Sequence, residues 1–291
     1  ETMMFDIHGK KLTTHGYNKF VFIGLIICSA IFIAIGIFCL TLMNMPTSRE
    51  EAGGGIYFTV EPGGVSPMML FSLIGGGLII LGLVAAAIAL MQKNVPTFTI
   101  TEKGIICKYK GKETLSLFKD ISDVYLFSVG RTSYTGSINS LAYRKNKSDA
   151  WTLISPRNSG YDKLISTFRS LYSEQRVQAL RAQLEHGATL EFNYVDAKMI
   201  WFKRAFSLNV AGAANIDSSL QKFYLTKDNI IKDDKSIIIN KSDKINTASW
   251  VDNLHLIDRD GNKKFSMMFP SIISADVFCT LLQEAIDRAE M

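Results

Sequence analysis

The chain is short of the side chains on which most sites are built. It has four cysteines and four histidines in 291 residues. That cysteine content excludes a disulfide-stapled scaffold. His8, His15, His186 and His255 have no metal-ligand spacing, and no cysteine lies near one in sequence, which excludes a conventional zinc site. Neither a G-x-x-x-x-G-K-[ST] phosphate loop nor a G-x-S-x-G nucleophile elbow occurs. Asp258-Arg-Asp260-Gly-Asn262 fails as a calcium loop: its glycine comes two positions early and the twelfth position is Phe269. It reads as a hairpin turn. These absences point to a protein that is not an enzyme and carries no cofactor or metal.

Charge is missing as well, in two places. Phe20 to Met43 and Met68 to Met91 are each 24 residues without a charged side chain. At ~1.5 Å per residue each reaches ~36 Å, enough to cross a ~30 Å hydrocarbon core. The first run is too long for a signal-peptide core and no small-x-small site follows it, so it reads as an uncleaved anchor. The spans predict a two-helix transmembrane hairpin over 20–91, with an external loop at 44–67. Lys10, Lys11 and Lys19 precede the first span, and Lys93, Lys103, Lys108, Lys110 and Lys112 follow the second. The loop between holds Arg49 against Glu50, Glu51 and Glu61. The positive-inside rule then puts the N-terminal segment 1–19 and everything after the second span in the cytoplasm of a bacterium, with the spans in its inner membrane. Neither span carries the ionisable groups of a channel or transporter. Their small residues (Ala30, Ala34 and Gly36; Ser72, Gly76, Gly82 and Ala86) either pack the hairpin on itself or form a seam for a homo-oligomer.

The remaining chain changes character. Residues 92–186 carry 15 basic and 8 acidic groups, net +7, whereas 187–291 carry 13 and 14, net −1. Short alternating strands at Phe98–Thr101, Ile105–Tyr109, Glu113–Leu117, Ile121–Val129, Ser137–Arg144 and Ala150–Ser155 precede a helix whose Leu164, Ile165, Phe168, Leu171 and Tyr172 share one face. The order then repeats. Phe98-Thr-Ile-Thr-Glu-Lys-Gly-Ile-Ile matches Phe223-Tyr-Leu-Thr-Lys-Asp-Asn-Ile-Ile, and Leu141-Ala-Tyr-Arg144 matches Leu256-Ile-Asp-Arg259. A second amphipathic helix closes the chain at Asp276–Ile286. We read two β-rich units, 97–186 and 187–291. The segment Thr189–Val210 has no match in the first; it supplies extra strands or a linker.

The hairpin, the F-x-I-T-x-x-G-I opening at Phe98, the segments Asp120-Ile-Ser-Asp-Val124 and Trp250-Val-Asp252, and the closing helices together resemble the bacterial PH-like membrane proteins of the YcxB-like group. The resemblance implies a membrane-anchored α+β fold with two PH-like units, each closed by a helix. It implies an interaction module rather than a catalyst. In PH-like proteins that recognise lipid headgroups a basic hairpin is the usual place of contact. Here that hairpin is Lys108-Tyr-Lys110-Gly-Lys112, with Lys103 and Lys119 nearby: either a solvated turn that helps set topology or a contact with anionic lipid. No basic helix interleaved with aromatics points to nucleic acid.

Two regions are candidates for contact with an unidentified protein partner. One is the polar loop Ser128–Ser137 with Arg131 and Tyr134, which is otherwise a plain hairpin end. The other is the neutral second unit, where Trp201, Phe202, Trp250 and Met268 are the apolar side chains on offer, unless they fill the core. In Phe265-Ser-Met-Met-Phe269 alternation turns Met268 away from Phe265 and Met267, so Met268 is expected to be exposed. The functional expectation is an inner-membrane adaptor or assembly subunit; the alternative is an immunity protein that neutralises a toxin at that membrane.

The topology is checked by labelling intact cells with an impermeant thiol reagent. Single-cysteine chains carry the thiol at Thr47 or Ser148. Labelling at position 47 alone is expected, and labelling at position 148 alone contradicts the assignment.

Overall fold

The computed structural model describes residues 9–42, 67–128, 138–196, 217, 220–248 and 253–289. These form an α+β protein in two units: one holds Tyr17–Val95, the other the preceding residues and Pro96–Met291.

The first unit is a pair of helices, α1 (Lys19–Thr41) and α2 (Pro67–Gln92). Asn18 caps α1, its side-chain oxygen accepting from the N–H groups of Phe20 and Val21. The two pack through small residues spaced by seven. Ser29 Oγ donates to the Gly82 carbonyl at 2.8 Å. A Cβ on Gly36 would lie 2.7 Å from the Gly75 carbonyl oxygen, and one on Gly75 would lie 2.8 Å from that of Gly36. Only glycine permits this approach. The seam is therefore Ser29/Gly36 against Gly75/Gly82, while Ala30 and Ala34 face outward. Of the small residues named from the sequence, Gly36 and Gly82 lie in this seam. Large apolar side chains cover the outer surface: Phe20 is 87% exposed, Phe38 61% and Leu73 64%.

In the second unit β1 (Lys11–His15), β2 (Thr97–Thr101), β3 (Gly104–Tyr109) and β4 (Lys112–Leu117) form one antiparallel sheet in sequence order. A short 3₁₀ turn at Phe118–Asp120 leads to a three-stranded sheet, β5 (Asp123–Ser128), β6 (Ile138–Arg144) and β7 (Thr152–Ile154). Helix α3 (Tyr161–Glu185) follows. The second copy runs β8 (Leu190–Val195), β9 (Leu220–Leu225), β10 (Asn229–Lys232) and β11 (Lys235–Ile238), then β12 (Lys244–Ala248), β13 (Asn253–Ile257) and β14 (Lys263–Met268), and ends in α4 (Ala275–Arg288).

Each copy is thus four strands, three strands and a helix. The match at Phe98 and Phe223 is geometric: the Thr101 hydroxyl both donates to the Gly104 carbonyl and accepts from its N–H, and Thr226 does the same with Asn229. Phe98 and Phe223, Ile100 and Leu225, and Ile105 and Ile230 are all fully buried. The second match slips. Tyr143 lies opposite Val124 and Leu256 opposite Ile245, so Leu256 takes the place of Tyr143, not Leu141. The turn after β6 is longer than the turn after β13, which shifts the sequence alignment by two.

Two segments were not legible. Residues 11–15, placed only in the N-terminal segment 1–19 from the sequence, are β1: His15 pairs with Phe98, and Thr14 with Thr99. Leu190–Val195, left open between strand and linker, is β8, the same first strand in the second copy.

One hydrophobic core runs through both copies, from Phe98 and Phe168 to Phe223 and Phe278. Helix α3 serves both ends of it, burying Leu164, Ile165, Phe168 and Tyr172 in its first half and Val177 and Leu184 in its second. Against α4 it sets Arg169 on Asp276 through two hydrogen bonds of 2.8 and 2.6 Å, and Arg181 on Glu284.

Phe223 touches Phe278, Phe192 and Phe265 with centroids 4.9, 5.6 and 6.2 Å away. Phe223→Ala is expected to remove about 3–5 kcal/mol of stability. Because the core is shared, calorimetry is expected to show a single transition for both copies, moved as a whole to lower temperature. Two transitions with only one moved contradict a shared core.

Candidate functional site

The basic hairpin is built by its turn. Lys110 and Gly111 both have positive φ, 48° and 79°, which is a two-residue turn of the type that matches the twist of the strands it joins. Tyr109 pairs with Lys112, and Lys108 with Glu113. All three lysines are exposed, and Lys110 Nζ sits 5.3 Å from the centre of the Tyr109 ring, itself 41% exposed. The tip is therefore a cationic knob with one half-exposed aromatic ring, offset by one carboxylate.

Register fixes where the knob points. Strand β1 ends at His15, opposite Phe98, and β2 begins at Thr97, opposite Lys108. The chain leaves this sheet for α1 and returns to it from α2 at one end, and Tyr109 to Lys112 project from that same end.

Lys103 and Lys119 do not belong to this group. Lys103 lies in the turn between β2 and β3, and its carbonyl accepts from Phe118 N–H beside Lys119. Both are at the opposite end of β3. Five steps of ~3.3 Å separate the ends of that strand by ~17 Å, beyond the ~10 Å screening length. The five lysines expected as one patch divide into three and two, because an extended strand carries sequence neighbours apart.

Of the residues expected to meet a protein partner, Arg131, Tyr134, Trp201, Phe202 and Trp250 lie outside the described residues. Met268 does turn away from Phe265 and Met267, but it is half-buried, packed with Trp151 and Leu220 on Tyr125, Val195 and Ile273. The first copy's Tyr125 covers the face that alternation assigned to solvent.

The sequence reading missed the joint between the copies. Arg144, with its side chain 2% exposed, donates from Nε to Asp123 at 2.6 Å and from Nη1 to Asp217 at 2.8 Å, and stacks over Trp151 at 4.4 Å. Ser274, in the left-handed region at φ 58° and capping α4, is tied to the first copy by several hydrogen bonds. Its N–H donates to the Val124 carbonyl at 2.6 Å, its Oγ accepts from Val124 N–H at 3.2 Å, and its Oγ meets the Tyr172 hydroxyl at 2.7 Å. Burial raises the pKa of the Tyr172 hydroxyl far above its ordinary value, so it stays a neutral hydrogen-bonding group. Burial also pushes the Cys107 thiol up to about 11 and the Cys279 thiol higher still, which leaves both without thiolate character at neutral pH. No group of three metal-ligating side chains occurs among the described residues. A cleft of about 800 Å³ between α3 and α4 is crossed by the Arg169–Asp276 pair.

No family model, curated protein or solved structure matches the chain.

Proposed function

We propose that this is a two-pass membrane protein of the bacterial inner membrane whose cytoplasmic, PH-like unit acts as a non-enzymatic adaptor. In this reading the tip Lys108, Lys110 and Lys112 rests on the anionic leaflet and leaves the rest of the unit to meet a protein partner. The observation that carries the proposal is the register: the basic tip projects from the end of the sheet that is joined on both sides to the apolar helices. If α1 and α2 lie in the bilayer, that end is the one nearest to it along the chain.

Three further features support the reading. The apolar side chains of α1 and α2 stay largely uncovered by protein, unlike those of a soluble core helix. The four-plus-three strand plan closed by a helix fits the PH-like reading. The corresponding turn in the second copy is Asp233-Asp234, also with positive φ at both residues, so only the first copy carries a basic tip. Each lysine at an anionic surface contributes ~1 kcal/mol at low salt. Three of them suffice to orient a unit that its own helices already tether. Tyr109 adds an amphipathic ring of the kind that settles at headgroup level.

The test uses the full chain in vesicles, with Tyr109→Trp as reporter and lipids brominated along their tails as quenchers. The quenching gained over the parent chain is expected to be strong in phosphatidylglycerol vesicles, weak in phosphatidylcholine, and to fall as salt rises. Changing Lys108, Lys110 and Lys112 to Glu together is expected to abolish it. Equal quenching in both lipids, or quenching that survives the triple change, contradicts the proposal.

A further inference from the structure

The joint between the two copies encloses a cavity of about 230 Å³. The strand β8 turns its Phe192 and Tyr194 into the core of its own copy, so Asn193 points the other way, toward the first copy. Asn193 is 6% exposed and lines the cavity. Its backbone carbonyl accepts from Ile273 N–H at 2.9 Å, and its side-chain amide borders the cavity. Ser122, at the start of the first copy's three-stranded sheet, lines the same cavity with a buried hydroxyl that has no partner. Buried polar groups left unpaired are rare and unfavourable unless something occupies the space they face.

Charge says what that something is. Four ionised side chains line the cavity. Asp123 is matched by Arg144, and Glu191 by Lys147 and Lys222. Arg176, half-buried on α3, has only a neutral acceptor, the Lys119 carbonyl, which takes one of its N–H groups at 2.7 Å. Its charge meets no carboxylate among the described residues, and the rest of its planar fork is available. A guanidinium of this kind matches carboxylate or phosphate oxygens two at a time. The volume lies below the ~300–1,000 Å³ of pockets that take drug-sized molecules.

We propose that this cavity binds a small organic anion, a compact carboxylate or phosphate metabolite held by Arg176 and hydrogen-bonded by Asn193 and Ser122. Because the groups come from both copies, the ligand stiffens the joint between them, and the module senses it. The site is independent of the lipid contact at the hairpin tip.

The experiment measures the unfolding midpoint of the full chain in an uncharged detergent, with succinate or inorganic phosphate against chloride at equal ionic strength. A ligand that binds only the folded state raises the midpoint. A rise of a few degrees is expected with at least one of the two probes, and Arg176→Gln and Asn193→Leu are each expected to remove it. The proposal is overturned if neither probe moves the midpoint, or if either variant responds as the parent does.

Discussion

The pairing of β1 with β2 is the constraint on which the rest of the molecule depends. Thr14 and Thr99 face each other across it with hydroxyls 3.1 Å apart, and the Lys10 N–H and carbonyl both bond to Glu102 at 3.0 Å. Between these partners the chain makes its whole excursion through α1 and α2. A sheet that closes around an insertion of this length requires both ends of the insertion to return to one place. For two helices of 23 and 26 residues that means an antiparallel pair with both flanks on one side. The hydrogen bonds of one strand pair thereby keep the two flanks of the helix pair together, as a two-pass hairpin would require.

The same place in the second copy is treated differently. There β8 ends at Val195 and the chain rejoins the sheet at Leu220, with no apolar run long enough to cross a bilayer between them. The turns diverge too: Lys110-Gly111 in one copy and Asp233-Asp234 in the other adopt the same backbone with opposite charge. The two copies hold equivalent sheets, and different residues at the insertion point and the turn give them different surroundings. What joins them is polar as well as apolar. Arg144 with Asp123 and Asp217, and Ser274 with Val124 and Tyr172, fix one orientation at a boundary where apolar contact alone would allow sliding. Removing one member of the buried Arg144–Asp123 pair would strand the other's charge.

Legibility in the sequence followed contact distance along the chain. The apolar runs were plain because 24 uncharged residues have few other uses, and helices ending at Thr41 and Gln92 match them closely. The repeat at Phe98 and Phe223 was visible because the threonine three residues before each strand start makes a local turn. β1 was not visible: Lys11-Leu-Thr-Thr-His is short and polar, and its partner lies 85 residues on. The lysines of the candidate site were identified correctly as exposed cations, yet adjacency in sequence hid the length of β3 between Lys103 and Lys108. Alternation gave the direction of Met268 but not Tyr125 waiting on that side, and the Arg144–Asp123 pair has no local signature at a separation of 21 residues.

The central claim is that residues on either side of the apolar hairpin belong to one sheet. It is tested by placing cysteines at Thr14 and Thr99 in a chain whose own cysteines are replaced by serine. A protease site goes into 44–67. Paired strand positions on one face have Cβ atoms close enough for a disulfide with slight adjustment. After oxidation in the membrane and cleavage of the loop, the account predicts that the two fragments run together on a denaturing gel until the disulfide is reduced. Fragments that separate without reductant, as they must in either single-cysteine control, would contradict it.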